Sequence, residues 1–159
     1  MTDPTWRIAI GSDSAGLDYK EVLLADLQGD HRVVSVVDLG VPRDDPNGKS
    51  YGEVGIRLGE MVASGEIDRG ILVCGTGIGV AISANKVPGV RATVAHDSFS
   101  VERSILSNDC QVLTLGQRVI GVELARRLVR EWLGYVFDPS TPSEEKVQVI
   151  RDYEQRQNA

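Results

Sequence analysis

Five short apolar runs, each closed by turn-forming residues, alternate along this chain with longer stretches of helical spacing, and that alternation restricts the architecture more than any other feature. The runs are Trp6 to Ile10, Val33 to Val37, Gly70 to Val73, Val90 to Ala95 and Gln111 to Leu115. Their length and Val, Ile and Leu content predict strands buried on both faces. Asp18 to Leu27, Tyr51 to Ala63 and Val119 to Leu133 carry apolar residues at helical spacing. A last helix is expected from Ser143, its cap, to about Gln155, with Glu144 and Glu145 in its first turn. Strand alternating with helix folds as a parallel sheet with right-handed crossovers and helices on both sides. The expected fold is therefore a Rossmann-like three-layer α/β/α sandwich with a parallel sheet of about five strands. With 159 residues and no internal repeat or linker, residues 1–159 read as a single domain.

In such folds ligands bind beyond the carboxyl ends of the strands. The sharpest local signal lies at one of those ends: in Gly70 to Asn85, GILVCGTGIGVAISAN, an apolar strand ends at Cys74 and a glycine-rich turn opens a helix. Gly75, Gly77 and Gly79 let backbone amides converge on an anion, and the helix N-terminus adds partial positive charge. A thiol in that setting has its thiolate favoured. Thr76 offers a hydroxyl donor two residues on. A cysteine at a strand end is otherwise a small buried hydrophobe, and the glycine cluster tips the reading towards chemistry. A dinucleotide fingerprint fails because Val80 stands where the third glycine belongs, and no Gly-Lys-Ser/Thr follows for a P-loop. The polar loop Pro42 to Lys49 is expected to border the site.

A net charge of -6 and a pI near 4.9 repel nucleic acid and anionic lipid, so neither is expected as a partner. An anionic metabolite must then be drawn in by individual cations and amides. Met1 to Trp6 lacks the pattern of a secretory leader, and no run approaches the roughly 18 apolar residues of a membrane span, which together suggest a cytoplasmic protein. Two cysteines, Cys74 and Cys110, are too few for a disulfide framework and show no zinc spacing. Cys110 is expected in the core and His31 in solvent.

Gly70 to Asn85 resembles the strand-turn-helix of the ribose-5-phosphate isomerase B and galactose-6-phosphate isomerase family. Further matches are GSDSAG at 11–16, Tyr51, KVPGVRA at 86–92, SND at 107–109 and LGQRVIG at 115–121, so the resemblance spans nearly the whole chain in order. It implies an aldose-ketose isomerase of a sugar phosphate, working through a cis-enediolate without metal or cofactor. Cys74 matches the family's catalytic base, and the Gly75 to Gly79 amides with Thr76 match the donors to the enediolate oxygen. Asp13 with its neighbour Ser14, Tyr51 and Asn108 match positions that contact substrate. Asp13 would serve equally as a helix cap, Tyr51 as a half-buried anchor and Arg118 as a surface charge. By the same resemblance, Arg118 and Lys146 match positions that act across a subunit interface. That implies a homodimer or homotetramer with shared sites, and for Arg118 a phosphate-binding role suited to its guanidinium fork.

The departures narrow the substrate. Many ribose-5-phosphate members carry His where this chain has Ser14 and Ser107, and the second of those histidines is credited with opening the furanose ring. The family's C-terminal Arg-His phosphate grip is also missing, with Pro142 and Ser143 standing near it and Lys146 the remaining cation. His96, in AHDSFSVERS at the end of the fourth strand, is placed to take over acid-base work or phosphate binding, or to serve as a structural histidine. The pattern GSDSAG with HDSFS-x-ER and SN resembles a branch linked with four-carbon sugar phosphates. A tetrose 4-phosphate has its O4 esterified and cannot close a furanose ring, so its isomerase has no use for a ring opener. D-erythrulose 4-phosphate and D-erythrose 4-phosphate are thus the first expectation, and ribose 5-phosphate with ribulose 5-phosphate the second. A non-catalytic sugar-phosphate-binding subunit is a third, opposed by the retention of Cys74 and Thr76.

Overall fold

A computed structural model describes residues 2–159; Met1, the first residue of the segment read for a leader, lies outside the described residues. Five strands form one all-parallel sheet: β1 (Trp6–Ser12), β2 (Val33–Asp38), β3 (Arg69–Cys74), β4 (Ala92–Val94) and β5 (Val112–Gly116), in the order β2-β1-β3-β5-β4. Six helices connect and follow them: α1 (Leu17–Gly29), α2 (Tyr51–Ala63), α3 (Ile78–Ala84), α4 (Ser98–Leu106), α5 (Val122–Gly134) and α6 (Ser143–Gln157). The α/β/α layering expected from the sequence is present.

Two apolar clusters occupy the two faces of the sheet. Leu23 and Leu27 of α1, Val101 and Ile105 of α4, and Leu128 and Trp132 of α5 pack on Ile8, Ile10, Ile71, Val73, Leu113 and Leu115. On the opposite face Val54, Leu58 and Met61 of α2 and Val80 and Ala84 of α3 pack on Ala9, Leu72 and Val112. The period-2 alternation of β3 and β5 therefore feeds both layers, which is why neither strand has an exposed residue.

β2 departs from the expectation of burial on both faces. It is an edge strand, with Val34 69% and Val37 41% exposed. Val33 and Val36 pack against the core cluster, so only one side of β2 is engaged. Ser143 is not the cap of α6: it is the first helical residue, Pro142 holds the cap position, and no side chain caps the helix. Proline at that place lacks a hydroxyl or carboxylate to accept the free amides. α5 starts at Val122 rather than Val119, because Val119 and Ile120 turn back onto the carbonyl of Gly116. No helix of the described residues is long and apolar enough to cross a membrane.

Candidate active site

The chain leaves β1 for α1 and β2 on one side, then returns past β1 to lay β3 on its other side. The carboxyl ends of β1 and β3 thus flank the point where the strand order reverses, the place where a crevice opens in doubly wound sheets. Cys74 ends β3 there and Asp13 follows β1. A cavity of about 450 Å³ is lined by Asp13, Ala15, Tyr51, Cys74, Gly75, Thr76, Ile78, Gly79, Ile82 and Arg118.

The floor of this cavity is the turn from β3 into α3. Gly77 caps α3 with φ 80° and ψ -8°, the left-handed region open to glycine, and this lets its amide turn back to donate to Cys74 Sγ at 3.1 Å. Cys74 itself is 4% exposed. The turn is tied to the segment after β5: Gln117 N donates to the Cys74 carbonyl at 2.9 Å and Arg118 N to that of Gly75 at 3.0 Å. These two bonds bring the Arg118 side chain across the turn. A Cβ added at Gly75 would stand 3.4 Å from both Cδ and Nη1 of Arg118. Thr76 Oγ1 accepts from Ile78 N at 3.2 Å, which leaves its own proton free to donate.

The walls come from the other two elements. Asp13 caps the short 3-10 turn Ser14–Gly16, accepting from Ala15 N at 3.0 Å and Gly16 N at 3.2 Å while still lining the cavity. Tyr51 opens α2, whose start is fixed by a capping box in which Ser50 and Glu53 exchange hydrogen bonds. Its ring packs against Gly79, where an added Cβ would come 2.7 Å from ring carbon Cδ2.

Other residues singled out in the sequence are not brought to this cavity. Ser14 is exposed on the 3-10 turn outside the lining, and Gly77 supports the floor without lining it. His96 accepts at Nε2 the amide proton of Gly116 at 2.9 Å, so its proton sits on Nδ1 and the ring supports the end of β5. Burial holds its pKa below the ordinary value, against an upward pull from Asp97. Asn108 lines a different and larger groove of about 630 Å³ along the β4 edge, together with Arg91, Arg103, Ser104 and Ile150. Lys146 is exposed on α6 and lines neither. The larger groove holds no base beside an amide cluster, so chemistry rather than volume selects the smaller cavity. Cys110 is buried, with its thiol pushed up to about 11 by burial, and His31 is exposed beside Asp3. Among the described residues no three His, Cys, Asp or Glu side chains gather as a metal site would need.

Residues 8–150 match the family model described as Ribose/Galactose Isomerase. The chain belongs to the ribose/galactose isomerase family. It is 56% identical over 148 residues to D-erythrulose-4-phosphate isomerase 2 of Mycolicibacterium smegmatis, covering 93% of this chain and 97% of that one. It is 42% identical to D-erythrulose-4-phosphate isomerase of Pectobacterium atrosepticum, over 94% of this chain and 98% of the relative. Among solved structures, ribose-5-phosphate isomerase B of Clostridium thermocellum superposes with a TM-score of 0.87 at 37% identity, covering 94% of this chain and 98% of that one. The chain is accordingly a sugar-phosphate isomerase that interconverts an aldose and a ketose.

Proposed function

We propose that this isomerase interconverts D-erythrulose 4-phosphate and D-erythrose 4-phosphate, with Cys74 as the base. The observation that carries the substrate is the 56% identity, over nearly the full length of both chains, to a relative named for that reaction. Ser107 agrees with it, because an acyclic tetrose phosphate needs no ring opener.

In the proposed mechanism the Cys74 thiolate takes a proton from C1 of the ketose and the C1–H electron pair becomes the C1–C2 double bond. The carbonyl electrons move onto O2, giving a cis-enediolate. The amides of the Gly75 to Gly79 turn that are not already bonded within it, together with the Thr76 hydroxyl, are the proposed donors to the charge that develops there. The thiol then returns its proton to C2 while the hydroxyl proton passes from O1 to O2, which leaves the aldose. Asp13 and Tyr51 hold hydroxyl groups, and Arg118 pairs with phosphate.

The working unit is proposed to be a homodimer or a dimer of dimers. Asn108 and Lys146 lie outside the lining of the Cys74 cavity of their own chain, as residues that serve a neighbouring subunit's substrate would. Arg118, by contrast, lies in the cavity of its own chain. His96 enters as a support of Gly116 rather than a ring opener.

Ribose 5-phosphate is the second reading, favoured by the superposition on the Clostridium thermocellum enzyme. A panel of erythrose 4-phosphate, ribose 5-phosphate and allose 6-phosphate compared by kcat/KM decides between them. The four-carbon sugar should lead by at least about ten-fold, as expected when a site lacks one acid-base group. Efficient ribose 5-phosphate turnover that collapses in His96→Ala, while ribulose 5-phosphate is spared, would overturn the tetrose reading.

A further inference from the structure

Thr114 is a polar residue in the middle of the best-buried part of the sheet. It is fully buried on β5, between the core residues Leu113 and Leu115. Alternation along the strand sends its side chain to the other face, shared with Val112, where α3 begins. A hydroxyl there costs free energy unless it is bonded, and an apolar residue of the same shape would fit the layer. Its partner is the carbonyl oxygen of Gly77, 37 residues earlier, at 2.7 Å.

The same glycine aims its amide at Cys74 Sγ. One residue in the left-handed conformation thus has its two flanking peptides held from opposite sides, one by sulfur and one by Thr114. The helical bond from Ala81 N to the Gly77 carbonyl is long, at 3.4 Å, so the Thr114 hydroxyl is the short contact that fixes this oxygen.

We infer that Thr114 is a positioning residue for the Cys74 base, locking the Gly77 turn so that its amide stays on the sulfur. The inference rests on the reading of Cys74 as base but requires no particular sugar. Without the hydroxyl the Gly77 peptide is free to rotate, the amide drifts from Sγ, and negative charge on sulfur loses its donor. Substrate contacts at Asp13, Tyr51 and Arg118 are untouched, so the effect falls on the chemical step.

The test uses Thr114→Val, which keeps the shape, and Thr114→Ser, which keeps the hydroxyl. In Thr114→Val kcat should fall about ten-fold with KM within about two-fold, and the rate of Cys74 alkylation by iodoacetamide at neutral pH should fall several-fold. Mass spectrometry of the labelled peptide assigns the site, with Cys110, whose thiol is pushed up to about 11, as the slow reference. Thr114→Ser should restore both. A core truncation on the other face of the sheet, Leu128→Ala, should lower the denaturant midpoint without slowing native alkylation, which separates positioning from general weakening. Wild-type kcat and alkylation in Thr114→Val would overturn the inference, as would a Ser variant as impaired as the Val variant. Alkylation needs no substrate. A wild-type protein inactive on every sugar tested would defeat the proposed function, while the Thr114 arm would still be decided.

Discussion

Cys74 occupies the last position of the central strand with its sulfur bonded by the Gly77 amide and its carbonyl by the Gln117 amide. Replacing this proposed base should carry a low structural cost and a high chemical cost. Cys74→Ala should lower kcat by at least about 10³-fold, since neither alanine nor a neighbouring group supplies the proton transfer. Circular dichroism and the denaturant midpoint should stay close to wild type. Full turnover in that variant would remove the assignment of the base. His96 makes a second prediction at this scale. Its neutral form accepts the Gly116 amide, and burial depresses its pKa below the ordinary 6.5. The unfolded chain therefore takes up the proton first as the solution is acidified. The contribution is complete above 6.5 and is lost as pH falls from there towards the lower folded value. Urea unfolding at stepped pH should show this loss in the wild type. His96→Gln, whose amide oxygen accepts the same bond without titrating, should flatten it.

At the scale of elements, the local signals and the non-local ones separate cleanly. The β3-turn-α3 unit was legible because strand, glycines and helix are contiguous, and the capping pair Ser50 and Glu53 fixes α2 within four residues. The exposure of β2 was not, since edge position depends on which strands pair. The insertion of β5 between β3 and β4 likewise leaves no mark in either segment. The bond from Gly116 N to His96, 20 residues away, and that from Thr114 to Gly77, 37 residues away, are set by strand pairing and leave no local pattern in the sequence. The α2 cap carries its own consequence, because Tyr51 is the first residue of that helix. Ser50→Ala should cost about 1 kcal/mol in unfolding free energy. It should also raise KM more than it lowers kcat, as fraying of the first turn loosens the ring against the cavity. An unchanged KM would detach Tyr51 from substrate binding.

For the whole molecule, Asn108 and Lys146 lie outside the lining of the Cys74 cavity, and the proposed assembly would bring them to it from a neighbouring chain. Complementation measures this directly. Cys74→Ala and Asn108→Ala chains, each impaired alone, should regain about a quarter of wild-type activity when unfolded and refolded together, because half of the randomly formed dimers hold one intact site out of two. No recovery, with mixed dimers shown to form, would confine each site to one chain.

The contact between Tyr51 and Gly79 makes those two positions a single unit of heredity. Any side chain at 79 must evict the ring, and any residue smaller than tyrosine at 51 leaves the glycine facing an empty wall. A side chain at 79 is admitted only once the ring at 51 has gone, so in aligned relatives a residue larger than glycine at 79 should occur only with a smaller residue at 51. The shape of the sugar accepted would then be written in a correlation between two sites rather than in either one.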